Sequence, residues 1–186
     1  MSTRTVYFIV AVAIFVLTLI AIAYYYYLRS QKSSQKNWER LLKRLTAVDR
    51  SSIAEVALDI IDESGQKRQD EASAALEPSQ IWKLVGGLKG LEVIEANCAV
   101  LVDLAFYLQQ WYPEAVVVAE QLRLSAREIE WQVGRLRSAQ ETGKLEGAFS
   151  MYAQPAVAAY YLMTRRVLAL YEEGNLAMLA DLRNAL

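Results

Sequence analysis

Residues 113–136 read "PEAVVVAEQLRLSAREIEWQVGRL", and this stretch decides the fold class because its apolar residues recur at alternating steps of four and three. Pro113 begins the stretch, and proline is favoured in the first turn of a helix. The alternating steps place one apolar face along three heptads, a pattern typical of a helix that packs against other helices. The sequence therefore predicts an all-α bundle. The predicted seam consists of Ala115, Ala119, Leu122, Ala126, Ile129, Val133 and Leu136.

The same helix carries a second, narrower apolar stripe on its opposite side. Val117, Leu124 and Trp131 follow one another there at seven-residue spacing. A helix with two apolar sides either lies inside a bundle or exposes one side to a partner. Both alternatives stay open, and Trp131 is the best docking candidate of the chain because buried tryptophans are frequent energetic anchors of protein interfaces.

The segment 91–112 is the strongest candidate for the core of the domain. Its helical wheel places Asp103 among the solvated residues and Asn97 on the buried side. A buried amide needs hydrogen-bond partners, and we interpret Asn97 as a structural residue that fixes helix register. The rest of the predicted buried side consists of Ile94, Leu101, Leu104, Ala105 and Leu108.

Start and stop signals predict the other helices of the domain. Ser52 with Glu55 has the form of a capping box, and Pro78 falls at the first turn of the next helix. Pro155 marks a start or a kink of the apolar segment 156–170. Asn175 is predicted to cap a final helix with Leu176, Leu179, Leu182 and Leu186 on its buried side.

Residues 6–28 form a stretch of 23 residues without a charge. At about 1.5 Å per residue such a helix spans roughly 34 Å, enough for a hydrocarbon core of about 30 Å. The sequence therefore predicts a short tail (1–5), one transmembrane helix (6–28), a basic juxtamembrane amphipathic helix (29–50) and an α-helical bundle domain (51–186). The fold class is all-α, with one N-terminal transmembrane helix followed by a helical-bundle domain.

Aromatic and basic residues flank the end of this predicted span. Tyrosine rings favour the headgroup level, and positive charge is retained on the cytoplasmic side. We therefore expect a single-pass protein of the cell (inner) membrane, with its N-terminus outside and its C-terminal domain cytoplasmic. The predicted membrane-interface residues are Tyr24, Tyr25, Tyr26, Tyr27, Arg29, Lys32, Lys36 and Trp38. The rival interpretation is a signal peptide cleaved after Ala23, which the long apolar stretch and the basic residues beyond it disfavour.

The segment 36–48 has an amphipathic pattern with two possible roles. Trp38, Leu41, Leu42, Leu45 and Val48 share one helical face, and basic residues share the other. The segment either lies on the inner leaflet above anionic lipid or forms the first core helix of the bundle.

Composition excludes several classes of chemistry. The chain has no histidine, so the commonest general base and transition-metal ligand are both missing. Residues 51–186 hold twelve basic and nineteen acidic side chains, a net charge of −7, which argues against nucleic acid as the main partner. Cys98 is expected to be a core residue, and the carboxylate pairs Glu92/Glu95 and Asp59/Asp62 are expected on solvated faces. We predict no enzyme activity, no cofactor and no metal.

The leading functional prediction is a non-catalytic interaction or scaffold module that holds a protein partner, or a second copy of itself, at the cytoplasmic membrane face. The first alternative is a lipid-surface or envelope-associated sensor that uses the basic amphipathic segment. A third hypothesis is a small-molecule sensor with a pocket near Asn97, Tyr160 and Tyr161.

Overall fold

The computed structural model describes residue 12 and residues 14–25, 38–68, 76–109, 112–174 and 178–186. Within these ranges the fold is all-α, and no strand is formed apart from an isolated bridge between Ile61 and Lys67. The predicted all-helical class is therefore confirmed. The helices after residue 37 are α1 (Trp38–Leu42), α2 (Arg50–Ile60), α3 (Pro78–Val85), α4 (Gly87–Leu108), α5 (Ala115–Glu141), α6 (Leu145–Glu173) and α7 (Leu179–Ala185).

The chain divides into two compact units, Met1–Lys36 and Asn37–Leu186. In the first unit residues 14–25 are helical, and the remainder of the predicted 6–28 span, apart from residue 12, lies outside the described residues. None of the helices in the described ranges combines the length and the apolar character that crossing a membrane requires.

Three long helices, α4, α5 and α6, form the centre of the second unit. The short connections between them predict antiparallel neighbours. In agreement, Arg137 near the end of α5 pairs with Glu95 near the start of α4, at 2.5 Å between Nη2 and Oε2. Helices α2 and α3 both pack on α6.

Both predicted apolar faces of the central helices lie in the core. On α5 every seam residue is buried except Ala126, which is partly buried against the core. On α4 all six predicted residues are buried, Asn97 among them. Helix α4 buries further apolar side chains, including Cys98 and Phe106, because neighbouring elements pack around it.

The predicted helix boundaries need two corrections. Helix α2 begins at Arg50, where the carboxylate of Asp49 accepts a hydrogen bond from the Ser51 amide, so Asp49 replaces the predicted Ser52 as the cap. Of the two alternatives for Pro155, a helix start is wrong, because α6 continues through it from Leu145 to Glu173. Burial of ten α6 residues offsets the loss of one backbone hydrogen bond there.

Of the two other start signals, the one at Pro78 is confirmed. Pro78 is the first residue of α3, and the side chains of Glu77 and Gln80 complete a capping box around it. In the final helix Leu182 and Leu186 are buried as predicted, whereas Asn175 and Leu176 lie outside the described residues.

Helix α1 is part of the bundle. Leu41 is fully buried, and the Trp38 ring packs against Tyr107 and Tyr171 with centroid distances of 5.9 and 5.3 Å. Asp103, which is predicted to be solvated, instead forms an ion pair with Arg44 of the segment after α1. The distance between Arg44 Nη1 and Asp103 Oδ2 is 2.8 Å. The basic segment therefore joins the domain through both its apolar face and its charge.

Candidate interaction surface

The α5 stripe, defined as Val117, Leu124 and Trp131, lies on the surface of the bundle. These three side chains are 62 %, 61 % and 59 % exposed, although the seam on the opposite side of the same helix is buried. Of the two alternatives for a helix with two apolar sides, the structure shows the one that exposes a side. The stripe covers 15 residues, and its first and last Cα atoms are separated by about 21 Å along the helix axis.

Trp131 is held in place at the end of this stripe. Its ring meets the ring of Tyr152 on α6 edge-on, with centroids 5.8 Å apart. The guanidinium of Arg135 lies 5.9 Å from the centre of the same tyrosine ring. Aromatic pairs of this geometry contribute about 0.5–1.5 kcal/mol. The Trp131 ring, which is largely exposed to solvent, is thus held in place without a bound partner.

The stripe has polar neighbours on α5 and apolar neighbours on α6. Gln121, Arg127 and Glu128 are exposed on α5 between the stripe residues and supply a polar rim with both signs of charge. On α6 the Tyr152 ring contacts Trp131, and Met151, the residue before it, is 61 % exposed. An apolar centre within a polar rim is the usual anatomy of a protein interface.

A second apolar feature of the surface is a recess between α3 and α6, which the sequence does not predict. It has a volume of about 500 Å³ and is lined by Pro78, Trp82, Leu145 and Phe149, among others. The Trp82 ring is 41 % exposed and packs on Phe149 with centroids 4.5 Å apart. The helical pattern around Trp82 does not reveal this recess, because Phe149 follows it by 67 positions in the chain.

The predicted membrane-interface residues divide into three groups. Tyr24 and Tyr25 are exposed at the end of the described helical stretch 14–25. Tyr26, Tyr27, Arg29, Lys32 and Lys36 lie outside the described residues. Trp38 is only 8 % exposed, so its predicted place at a lipid interface is corrected to a place in the protein core. Leu41 is buried as well, so two of the five residues on the predicted apolar face of the segment 36–48 lie in the core.

Asn97 lies at a polar junction inside the bundle. Its amide exchanges two hydrogen bonds with the backbone of Thr46 and donates a third to the Tyr160 hydroxyl, at 3.2 Å. Burial raises the pKa of the Tyr160 phenol to about 12, although the Asn97 bond favours the ionised form. The structure brings together Asn97 and Tyr160, two of the three residues named in the small-molecule hypothesis.

The remaining candidates for chemistry have structural partners. Glu92 and Glu95 both pair with Arg137 and thereby tie α4 to α5. Burial raises the pKa of the Cys98 thiol to about 12, so the thiolate is scarce at neutral pH. In the part of the chain that the structure describes, no three side chains of the histidine, cysteine or carboxylate type form a group able to hold a metal ion.

Comparison with known proteins gives no relative for this arrangement. The chain matches no protein-family model, no curated protein and no solved structure.

Proposed function

We propose that this chain is a single-pass membrane protein whose helical bundle binds a partner protein, or a second copy of itself, through the α5 stripe. The transmembrane helix is residues 6–28, and the bundle faces the cytoplasm. The protein holds its partner at the membrane, which turns a three-dimensional search into a local one and raises the effective concentration of the partner.

The observation that carries the proposal is the exposure of every side chain in the helical residues 14–25. Nearly all of these side chains are apolar, and a helix with apolar residues on all sides is typical of a membrane environment. Thr18 donates its hydroxyl proton to the Ile14 carbonyl at 2.9 Å, so the polar group within the apolar run has a partner in its own helix. A hydroxyl satisfied in this way suits a lipid solvent.

Charge supports the orientation. Residues 29–50 hold seven basic and two acidic side chains, against Arg4 alone among the side chains of the N-terminal tail. Basic residues next to a span stay on the cytoplasmic side. The α5 stripe supports the proposal of partner binding. The bundle exposes three large apolar groups in one line there, and it holds one of them, Trp131, in place.

The membrane part is tested by extracting cell membranes with alkaline carbonate and by protease digestion of inverted vesicles. We expect the chain to stay in the membrane pellet and the bundle to be digested in inverted vesicles. Release into the carbonate supernatant contradicts the span. Recovery from the culture medium with Tyr24 as the first residue favours the secreted alternative instead.

The partner part is tested by crosslinking and purification of the full chain from detergent-solubilised membranes. Two chains with different tags, expressed together, distinguish a second copy from another protein. We expect the double variant Leu124→Ala/Trp131→Ala to lose its crosslinked partner. Trp82→Ala is the matched control, since it removes an exposed tryptophan outside the stripe and leaves the crosslink unchanged. An unchanged crosslink in the double variant rejects the stripe as the docking surface.

A further inference from the structure

A small cavity lies beside the Asn97–Tyr160 junction, between α2 and α6 and close to the end of the chain. Its volume is about 150 Å³. At about 30 Å³ per water-sized group, this space accommodates a small polar head and a short apolar chain. Apolar walls come from Val48, Ile53 and Leu168, and the ring of Tyr161 adds to them.

Two arginines, Arg50 of α2 and Arg165 of α6, line this cavity, and its lining contains no acidic side chain among the described residues. No carboxylate in the described ranges forms an ion pair with either guanidinium. Arg165 belongs to residues 51–186, which carry a net charge of −7, and Arg50 directly precedes them. Both guanidinium groups therefore retain donors for an anion.

The position of Arg50 is not explained by the stability of its own helix. It is the first residue of α2, where the positive end of the helix dipole disfavours a cation. The charge of Arg50 nevertheless acts on the cavity wall, because it favours the ionised form of the Tyr160 phenol against the larger effect of burial. A residue that goes against local preference marks a place where function can be the reason.

Arg165 is oriented by its neighbours. Its Nη1 donates to the Glu63 carbonyl at 2.7 Å, and its guanidinium carbon lies 5.8 Å from the centre of the Tyr161 ring. A guanidinium has five N–H donors, so several remain for a ligand. The Thr164 hydroxyl already donates to the Tyr161 carbonyl at 2.8 Å, so the donors for a negative head are the two arginines and the Tyr160 hydroxyl, which accepts from Asn97.

We propose that this cavity binds a small organic anion, with its negative head between Arg50 and Arg165 and a short apolar chain against Ile53 and Leu168. Guanidinium groups suit carboxylate and phosphate heads because they donate parallel hydrogen bonds. The site is separate from the α5 stripe, since no α5 residue lines it. It therefore stands whether or not the stripe binds a partner.

The test uses the full chain in non-ionic detergent and hexanoate as the probe, followed by ligand-observed NMR against empty micelles. We expect hexanoate to bind more tightly than hexanamide, which lacks the charge, and than acetate or inorganic phosphate, which lack the chain. Arg50→Gln and Arg165→Gln each weaken hexanoate binding about tenfold, the cost of one charge-assisted contact. Arg166→Gln is the matched control, because Arg166 lines a different cavity, and it leaves binding unchanged.

Three results overturn the proposal. Equal binding of hexanamide and hexanoate would show that the cavity recognises only the apolar part of the probe. Equal binding of inorganic phosphate would show that the apolar chain of hexanoate plays no role. Unchanged hexanoate binding in both arginine variants places the probe elsewhere. Thermal unfolding of each variant guards against a folding artefact, and Arg50→Gln is the decisive variant because Arg165 also donates a hydrogen bond to the Glu63 carbonyl.

Discussion

The side-chain amide of Asn97 and the backbone of Thr46 form a closed pair of hydrogen bonds across 51 positions of the chain. The Thr46 N–H donates to Asn97 Oδ1 at 2.9 Å, and Asn97 Nδ2 donates to the Thr46 carbonyl at 2.8 Å. The segment between α1 and α2 has no regular structure of its own at this point. Asn97 therefore replaces the backbone partners that a helix would have provided.

Asn97→Leu is expected to destabilise the protein by about 2–4 kcal/mol, because it leaves both Thr46 groups without these partners. Tyr160→Phe removes one of the three Asn97 bonds and is expected to cost about 1 kcal/mol. Urea unfolding of both variants in the same detergent measures the difference. Equal losses for the two variants would show that the Thr46 pair contributes little.

Leu122 and Leu124 offer a matched test of the two sides of α5. Leu122 is fully buried, and Leu122→Ala is expected to lower the free energy of unfolding by about 2–5 kcal/mol. Leu124 is 61 % exposed, and Leu124→Ala is expected to change it by less than about 0.5 kcal/mol. Chemical denaturation gives both values. A large loss in Leu124→Ala would mean that the stripe is covered within the protein.

Two helical glycines are predicted to respond to alanine in opposite directions. A Cβ at Gly90 would lie 1.7 Å from the Val85 carbonyl oxygen, so Gly90→Ala is expected to destabilise by about 3 kcal/mol. A Cβ at Gly134 on α5 would meet nothing within 4 Å. Gly134→Ala is therefore expected to stabilise by about 0.5–1 kcal/mol, the difference in helix propensity. Thermal unfolding distinguishes the two signs, and destabilisation by Gly134→Ala would contradict the open space described there.

Alkaline pH is expected to weaken the fold. Burial raises the pKa of Cys98 from 9.0 to about 12, and it also raises the pKa of Tyr160 and of Tyr171. The unfolded chain therefore releases these protons first, so the stability present below pH 9 is lost as the pH rises towards 12.

Urea midpoints at pH 8 and pH 10.5 measure this loss. Cys98→Ala is expected to remove about 1–2 kcal/mol of the difference between the two pH values, since one group with raised pKa is gone. The same loss in Cys98→Ala and in the native chain would assign the alkaline weakening to the tyrosines alone.

Helical periodicity was enough to predict the core faces of α4 and α5, because the period of a helix depends on nearby residues alone. It placed Asn97 inside for the same reason. It could not decide the role of Trp38, since an amphipathic face looks identical whether lipid or protein covers it. Asp103 was assigned to solvent because its partner, Arg44, is 59 positions earlier.

The two cavities depend on contacts that no local pattern contains. The recess at Trp82 exists because Phe149 comes to it from α6, and the arginine cavity exists because α2 and α6 bring Arg50 and Arg165 to one space. The sequence pointed to Tyr160 and Tyr161 as a possible site. The sequence did not indicate that the two arginines take part in a site, because their neighbours along the chain have the pattern of an ordinary helix surface.

Pro155 leaves one backbone acceptor of α6 without its helical donor. Proline has no N–H, so the carbonyl of Met151, four residues earlier on α6, loses its usual helical donor. Met151 is 61 % exposed and directly precedes Tyr152, whose ring contacts Trp131. A bound chain that places an N–H group at the Met151 carbonyl would form a directional hydrogen bond. This bond would fix the position of the bound chain along the α6 axis, which apolar contact alone does not do.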